Sequence, residues 1–376
     1  MSLESHLCIY CMESYSDAEL SKEHIIPKAL GGTLVGPPFV TSNVCKKCNN
    51  DLGQFVDAPF IRSFFIKNDI ALGHLSLDQK GTMVGTEPVY MSKLEGLTPP
   101  TSTVELYLLH SGKSSVLHIH NNFDSRSESL VGGNPITAKK NPGVAIFLNA
   151  AESEEDAKKD LHQFINKFKR QDRVVYGIDF HDQRVWEAVG RKPSRDEEVI
   201  IDNYIKSLEN PIKGSFSVDI FFSNRFIAKL SYGFGYVAGG ASYINSSYAS
   251  TLREYMWTQD SEKREQLPVL LSSYWDRPSL PIGDFLNFPN IISASYIMIA
   301  GGLYLYFSLF DKPFLSLISN DISIFQKSGP LRKVGFGASI LINPKLKKAV
   351  TLVSIEDLIA HQQGHIVNEL DELLRS

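Results

Sequence analysis

Hydrophobic positions fall into short alternating runs over most of the chain beyond residue 80. Val104-Glu105-Leu106-Tyr107-Leu108, Val116-Leu117-His118-Ile119-His120, Val144-Ala145-Ile146-Phe147-Leu148 and Arg173-Val174-Val175-Tyr176-Gly177-Ile178 have the two-residue period and β-branched content of strands. Pro99-Pro100 and Gly132-Gly133-Asn134-Pro135 punctuate them, as turns and loops do. Helical spacing shows in three stretches. Val56, Phe60, Ile61 and Phe64 share one face of 55–65, where Pro59 predicts a break; Leu161, Phe164, Ile165 and Phe168 share one face of 152–170; and 355–374 predicts a closing helix. The uncharged run 291–310 is long enough to cross a bilayer. Its centre is Gly301-Gly302, its flanks alternate, and it is rich in tyrosine and β-branched residues, so it predicts two buried strands around a glycine turn and no membrane span. An antiparallel meander with a further turn at Asp311-Lys312-Pro313 follows. The pattern as a whole predicts an α+β fold.

At 376 residues, 43% hydrophobic and 21% charged, the chain is globular and exceeds one typical domain. Composition shifts near Gly81 and Asn210-Pro211 divide it into 1–75, 76–210 and 211–376. The formal net charge of −4 and the isoelectric point near 6.2 exclude a basic protein that coats nucleic acid, so phosphate contact requires local patches. Met1–His6 lacks the basic and apolar regions of a signal peptide, which predicts a cytoplasmic protein.

All four cysteines sit in two knuckles, Cys8-x-x-Cys11 and Cys45-x-x-Cys48. Two such knuckles supply the four thiolates of a closed tetrahedral zinc site. A disulfide framework would spread its cysteines through the fold, so structural Zn²⁺ is the better account. The knuckles enclose Glu23-His24-Ile25-Ile26-Pro27-Lys28-Ala29-Leu30-Gly31-Gly32, and Asn49-Asn50-Asp51-Leu52-Gly53 follows directly.

These elements, in this order, resemble the HNH endonuclease family, in particular bacterial members that pin the motif with a four-cysteine zinc. The resemblance covers the first 60 to 75 residues and implies a small zinc-stapled ββα-metal nuclease module followed by a larger, mixed, strand-rich domain. It implies that His24 is the base that deprotonates water, a task suited to an imidazole near its free pKa. Adjacent strand residues point to opposite faces, so Glu23 would turn toward a catalytic divalent ion. Asn49 would reach that ion from the first helical turn; Asn50 competes for the place, and Asp51 or Asp57 would supply a carboxylate if neither amide does. Hard oxygen ligands favour Mg²⁺ or Mn²⁺. Asn43 is the candidate for orienting the histidine, although the family places that asparagine further upstream of the second knuckle. Lys22, Lys28, Lys46 and Lys47 form the patch that would hold a DNA backbone.

The resemblance further implies metal-dependent DNA cleavage in restriction or anti-phage defence. The large carboxy-terminal region would then recognise modified or foreign DNA or receive a nucleotide signal or other small ligand. One such site cuts one strand, so a double-strand break calls for two passages or a homodimer. Helices around Lys229 and Arg253 weakly resemble an accessory region of the same group. The rival class is a non-catalytic zinc module that binds nucleic acid or protein. Two histidine pairs stand apart. His118 and His120 alternate on one strand face with no Cys or carboxylate nearby in sequence, and His361 and His365 are four apart but have Gln362 where a zinc-protease helix needs Glu. Both pairs are expected to be structural or at the surface.

Overall fold

The computed structural model describes residues 5–63, 65–66, 88–97, 102–109, 113–121, 142–208, 214–215, 221–278, 280, 282–288, 290–310, 312–326 and 337–374. Two compact units result: 1–61, 69–82 and 220–376 form one, and 62–68 with 83–219 the other. The expected third region therefore falls largely in one unit with the amino-terminal module. Pro99-Pro100, Gly132–Pro135, Asn210-Pro211, Phe64, Gly81 and Asp311 lie outside the described residues.

The first unit starts with the hairpin β1 (His6–Leu7) and β2 (Ser14–Tyr15), whose connection carries the first knuckle. Then come β3 (Leu20–His24), β4 (Val40–Cys45) and α1 (Lys46–Leu52), with β3 and β4 antiparallel and bulged between Ser21 and Glu23. This is the expected ββα order. Gly31 and Gly32 explain the loop between the strands. Gly31 has φ of 80°, and a Cβ on Gly32 would lie 1.8 Å from the Ile26 carbonyl oxygen, so the chain closes on itself only with glycine there. Beyond α1, Gly53–Asp57 is π-helical and passes into α2 (Ala58–Arg62). Pro59 does not end the helix. It has no N–H for the Phe55 carbonyl, and Arg225 Nη1 donates to that oxygen instead, at 3.0 Å.

The second unit is built on a six-stranded sheet of β5 (Val89–Leu94), β6 (Thr103–Leu108), β7 (Ser115–His120), β8 (Val144–Leu148), β9 (Asp172–Tyr176) and β10 (Gly214–Ser215), in the order β10-β5-β6-β7-β8-β9. All pairs are antiparallel except β8–β9, which are joined across α3 (Glu154–Lys167) as a parallel pair requires. The alternation of the strands loads both faces. Tyr107, Val116, Ala145, Phe147 and Val175 meet Phe164 and Phe168 and, through Val189, helix α4 (Gln183–Val189). Val104, Leu117, Ile146 and Val174 meet Ile201 and Tyr204 of α5 (Arg195–Ser207).

The chain then returns to the first unit with α6 (Asn224–Ile244), kinked at Gly240, and α7 (Ser247–Trp257). After the short α8 (Ser261–Glu265) come β11 (Ile292–Ile299), β12 (Gly302–Leu309) and β13 (Lys312–Ser319). Helix α9 (Ser323–Gln326), strands β14 (Gly337–Asn343) and β15 (Lys348–Ser354), and helices α10 (Ile355–Gln362) and α11 (Asn368–Leu374) complete it. The uncharged run is thus a hairpin, as its alternation predicts, and no described helix is long and apolar enough to cross a membrane. The sheet order β13-β12-β11-β14-β15 departs from a simple meander because β14 returns beside β11. The expected closing helix is two helices, parted where Gly364 takes φ of 92°.

Candidate active site and zinc centre

The knuckles bring four sulfurs together, all within 4.8 Å of one another. Thiolate–zinc bonds of about 2.3 Å set sulfurs about 3.8 Å apart on a tetrahedron, so the donor set fits zinc. Backbone N–H groups of Cys45 and Cys48 donate to the Cys8 and Cys45 sulfurs, both at 3.3 Å. A hydrogen bond with Cys48, working against burial, pulls the Cys8 thiol down to about 4, toward the thiolate that a metal binds.

The α6 and α7 helices grip this knuckle by its carbonyls. Tyr232 Oη donates to the Ile9 oxygen, Arg253 Nη1 bonds Tyr232 Oη at 3.1 Å and the Ile244 oxygen at 2.6 Å, and Trp257 Nε1 reaches the Tyr10 oxygen at 3.4 Å. Close packing continues along the same face of α6. Phe60 stacks on Phe226 at 3.9 Å, and a Cβ on Gly233 would lie 2.6 Å from Ile25 Cγ2.

Next to the knuckle, β3 places Glu23 inward and His24 at the rim, half-buried. Glu23 meets Lys229 of α6, whose Nζ lies 2.9 Å from Glu23 Oε1 and 2.7 Å from Asp57 Oδ2. The π-helical turn presents Asp57 there. Lys229 is 1% exposed. Burial opposes its charge, but Asp57 and Glu23 prevail and raise its pKa. Burial is also the main reason the Glu23 carboxyl is raised, with Asp57 adding to it and Lys229 opposing. Two carboxylates face one ammonium. The buried Tyr10 hydroxyl has no hydrogen-bond partner. Carboxylate oxygens are the donors a hard cation takes, but here the Lys229 ammonium already sits 2.9 Å from Glu23 Oε1.

His24 is shifted down, first by desolvation and then by Lys28 and Lys22, all of which disfavour the charged imidazolium. Asn49 Nδ2 donates to Ser21 Oγ at 3.0 Å and the Lys22 oxygen at 3.1 Å, ties that set the start of α1 against β3. Asn43 lies elsewhere: its amide donates to Tyr236 Oη at 2.9 Å, and with Tyr236 it lines a cavity of about 470 Å³ between β4 and α6. Asn50 is exposed, and Asp51 pairs with Lys47 at 2.7 Å. Lys22, Lys28, Lys46 and Lys47 are all exposed; Lys46 reaches the Ala18 oxygen at 2.6 Å, which leaves Lys22 and Lys28 as the charges that act on His24.

Residues 8–65 match the HNH endonuclease family model. No curated protein and no solved structure matches the chain. The match over 8–65 supports nuclease chemistry in general and implies a nucleic acid substrate.

Sequence reasoning left Lys229 without a task. A single lysine inside Phe226-Ile227-Ala228-Lys229-Leu230-Ser231-Tyr232 was the available signal, because a charge in a fully apolar helical run is almost never buried without a partner.

Proposed function

We propose that the protein is a metal-dependent endonuclease that hydrolyses DNA phosphodiester bonds, with His24 as the base that takes the proton from the attacking water. The observation that carries this is His24 itself, half-buried at the end of β3 directly after Glu23 of the buried carboxylate pair, with burial and the neighbouring Lys28 and Lys22 lowering its pKa. A neutral imidazole accepts a proton at pH 7. Glu23 and Asn49 are the side chains that would hold Mg²⁺ or Mn²⁺, and the ion would neutralise charge on the phosphate and the leaving oxygen. Lys22 and Lys28 would hold the backbone, with Lys46 and Lys47 at the side. Asn43, on Tyr236, would act on β4 and not on the histidine directly.

Residues 220–376 complete the module by contributing Lys229, Tyr232 and Arg253, which supports control of cutting from that region. Restriction or anti-phage defence is the use that suits a nuclease whose site is finished by a much larger region. The test is cleavage of plasmid and of unmodified and base-modified phage DNA with Mg²⁺ or Mn²⁺ by the full chain and by His24→Ala. Loss of cutting with zinc content unchanged is expected, and cutting at the parental rate would remove His24 from the mechanism.

The ammonium of Lys229 on Glu23 also favours a second reading, a zinc module that binds nucleic acid without cutting. Binding with no cleavage in any metal would establish that reading instead.

A further inference from the structure

The sheet of the second unit supplies what the sequence lacked beside His118 and His120. Register places Glu105 of β6 directly opposite His118 of β7, so its carboxylate stands on the same face as both imidazoles. His118 Nδ1 lies 3.2 Å from Glu105 Oε2 and His120 Nε2 lies 3.6 Å from Glu105 Oε1. One ligand atom can be chosen from each residue so that all lie within 4.8 Å of one another. Nitrogen and oxygen ligands about 2.0–2.1 Å from a tetrahedral zinc are about 3.3 Å apart, which both measured separations approach.

The cluster is deep. His118 is 0%, Glu105 2% and His120 5% exposed, and the Phe168 ring packs on His118 at 6.1 Å. Yet His118 Nε2 and both ring nitrogens of His120 have no hydrogen-bond partner. Such orphaned groups are rare in folded proteins and call for an explanation, an ion among them. Glu105 also has the support that metal-ligating carboxylates receive, because Tyr107 Oη donates to its Oε2 at 2.8 Å.

We propose that Glu105, His118 and His120 bind a first-row divalent transition metal of the zinc class, separate from the cysteine centre and from the nuclease site. Imidazole and carboxylate donors suit such an ion. Three protein ligands in a buried position make it a staple that ties β6 to β7 beneath the helix-covered face.

The experiment counts metal in the intact chain. Ten sulfurs per chain, from four cysteines and six methionines, give an internal measure of protein in elemental analysis. After zinc loading and washing with excess Mg²⁺, the expected ratio is two zinc per ten sulfurs. His118→Gln with His120→Gln should reduce it to one, and Cys45→Ser should independently remove the other. If the glutamine variant does not fold, Co²⁺ titration of the parent protein decides. A second equivalent is expected to add visible ligand-field bands without new sulfur-to-cobalt charge transfer. One zinc per chain in the loaded parent, a glutamine variant that folds and keeps two, or a cobalt titration that ends at one equivalent overturns the proposal and leaves a histidine–carboxylate charge cluster only.

Discussion

Replacing Lys229 with methionine keeps the volume of the side chain and removes its charge. Glu23 and Asp57, whose side chains are 7% and 15% exposed, then face each other with no counter-ion. At about 2.8 Å and an effective dielectric constant of about 20, each contact is worth about 6 kcal/mol before desolvation. Desolvation of the three groups offsets much of that, and stripping one partner from a buried pair costs about 3–5 kcal/mol net. Against a total stability of about 5–15 kcal/mol, this is a large loss for the first unit. Protons limit it. Without Lys229, which opposes the upward shift, the Glu23 carboxyl rises further above its unfolded value. The folded state then binds more protons than the unfolded one, and the variant gains stability as pH falls. The deficit against the parent should therefore be largest at pH 8 and shrink steadily toward pH 5. Urea unfolding at four pH values, followed by Trp257 and Trp275 fluorescence in a Trp186→Phe background, measures it. Adding Glu23→Gln and Asp57→Asn should recover most of the loss at pH 8. A deficit below about 1 kcal/mol with no pH trend would refute the argument that these charges balance one another.

Cys45→Ser should release the knuckle zinc and unfold the amino-terminal module, because metal binding in so small a unit is folding energy; elemental analysis and circular dichroism check this. His24 titrates below its ordinary 6.5, first through desolvation and then through Lys28 and Lys22. The acid limb of kcat should therefore fall below pH 6.5 and move up in Lys28→Gln, read from pH–rate profiles at saturating DNA. Gly233→Ala should destabilise the first unit by about 1–3 kcal/mol by overpacking, since the new Cβ would meet Ile25 at 2.6 Å; shifted urea midpoints report it. A fragment ending at residue 75 should aggregate or cut weakly without preference, because it exposes Phe60 and Ile25, which α6 covers; light scattering and plasmid assays against the full chain decide.

Local chemistry was legible wherever the residues that act together are close in sequence. The knuckles, the ββα order and the hairpin at 291–310 each follow from spacing within a few dozen residues. Register was not. Glu105 and His118 look unrelated along the chain because only the β6–β7 pairing sets them opposite each other. Lys229 and Asp57 are 172 positions apart, and no periodicity links them. Pro59 misled for a different reason: the bond it removes is replaced from outside the helix by Arg225. At Gly364 the apolar pattern runs on, and only the left-handed backbone reveals the break.

The 172-residue gap between Asp57 and Lys229 has a consequence for the protein while it is being made. At about 5–20 residues per second, the ribosome needs roughly 10–35 s to add Lys229 once Asp57 has been joined. Throughout that interval the knuckle can take up zinc, but Glu23 and Asp57 have no ammonium between them and Ile9 has no tyrosine on its carbonyl. The nascent module therefore waits, unfinished, while the whole second unit is synthesised. A protein arranged in this way completes the cluster of Glu23, Asp57 and Lys229 only late in its own translation, and a truncated product that stops inside the second unit never receives it.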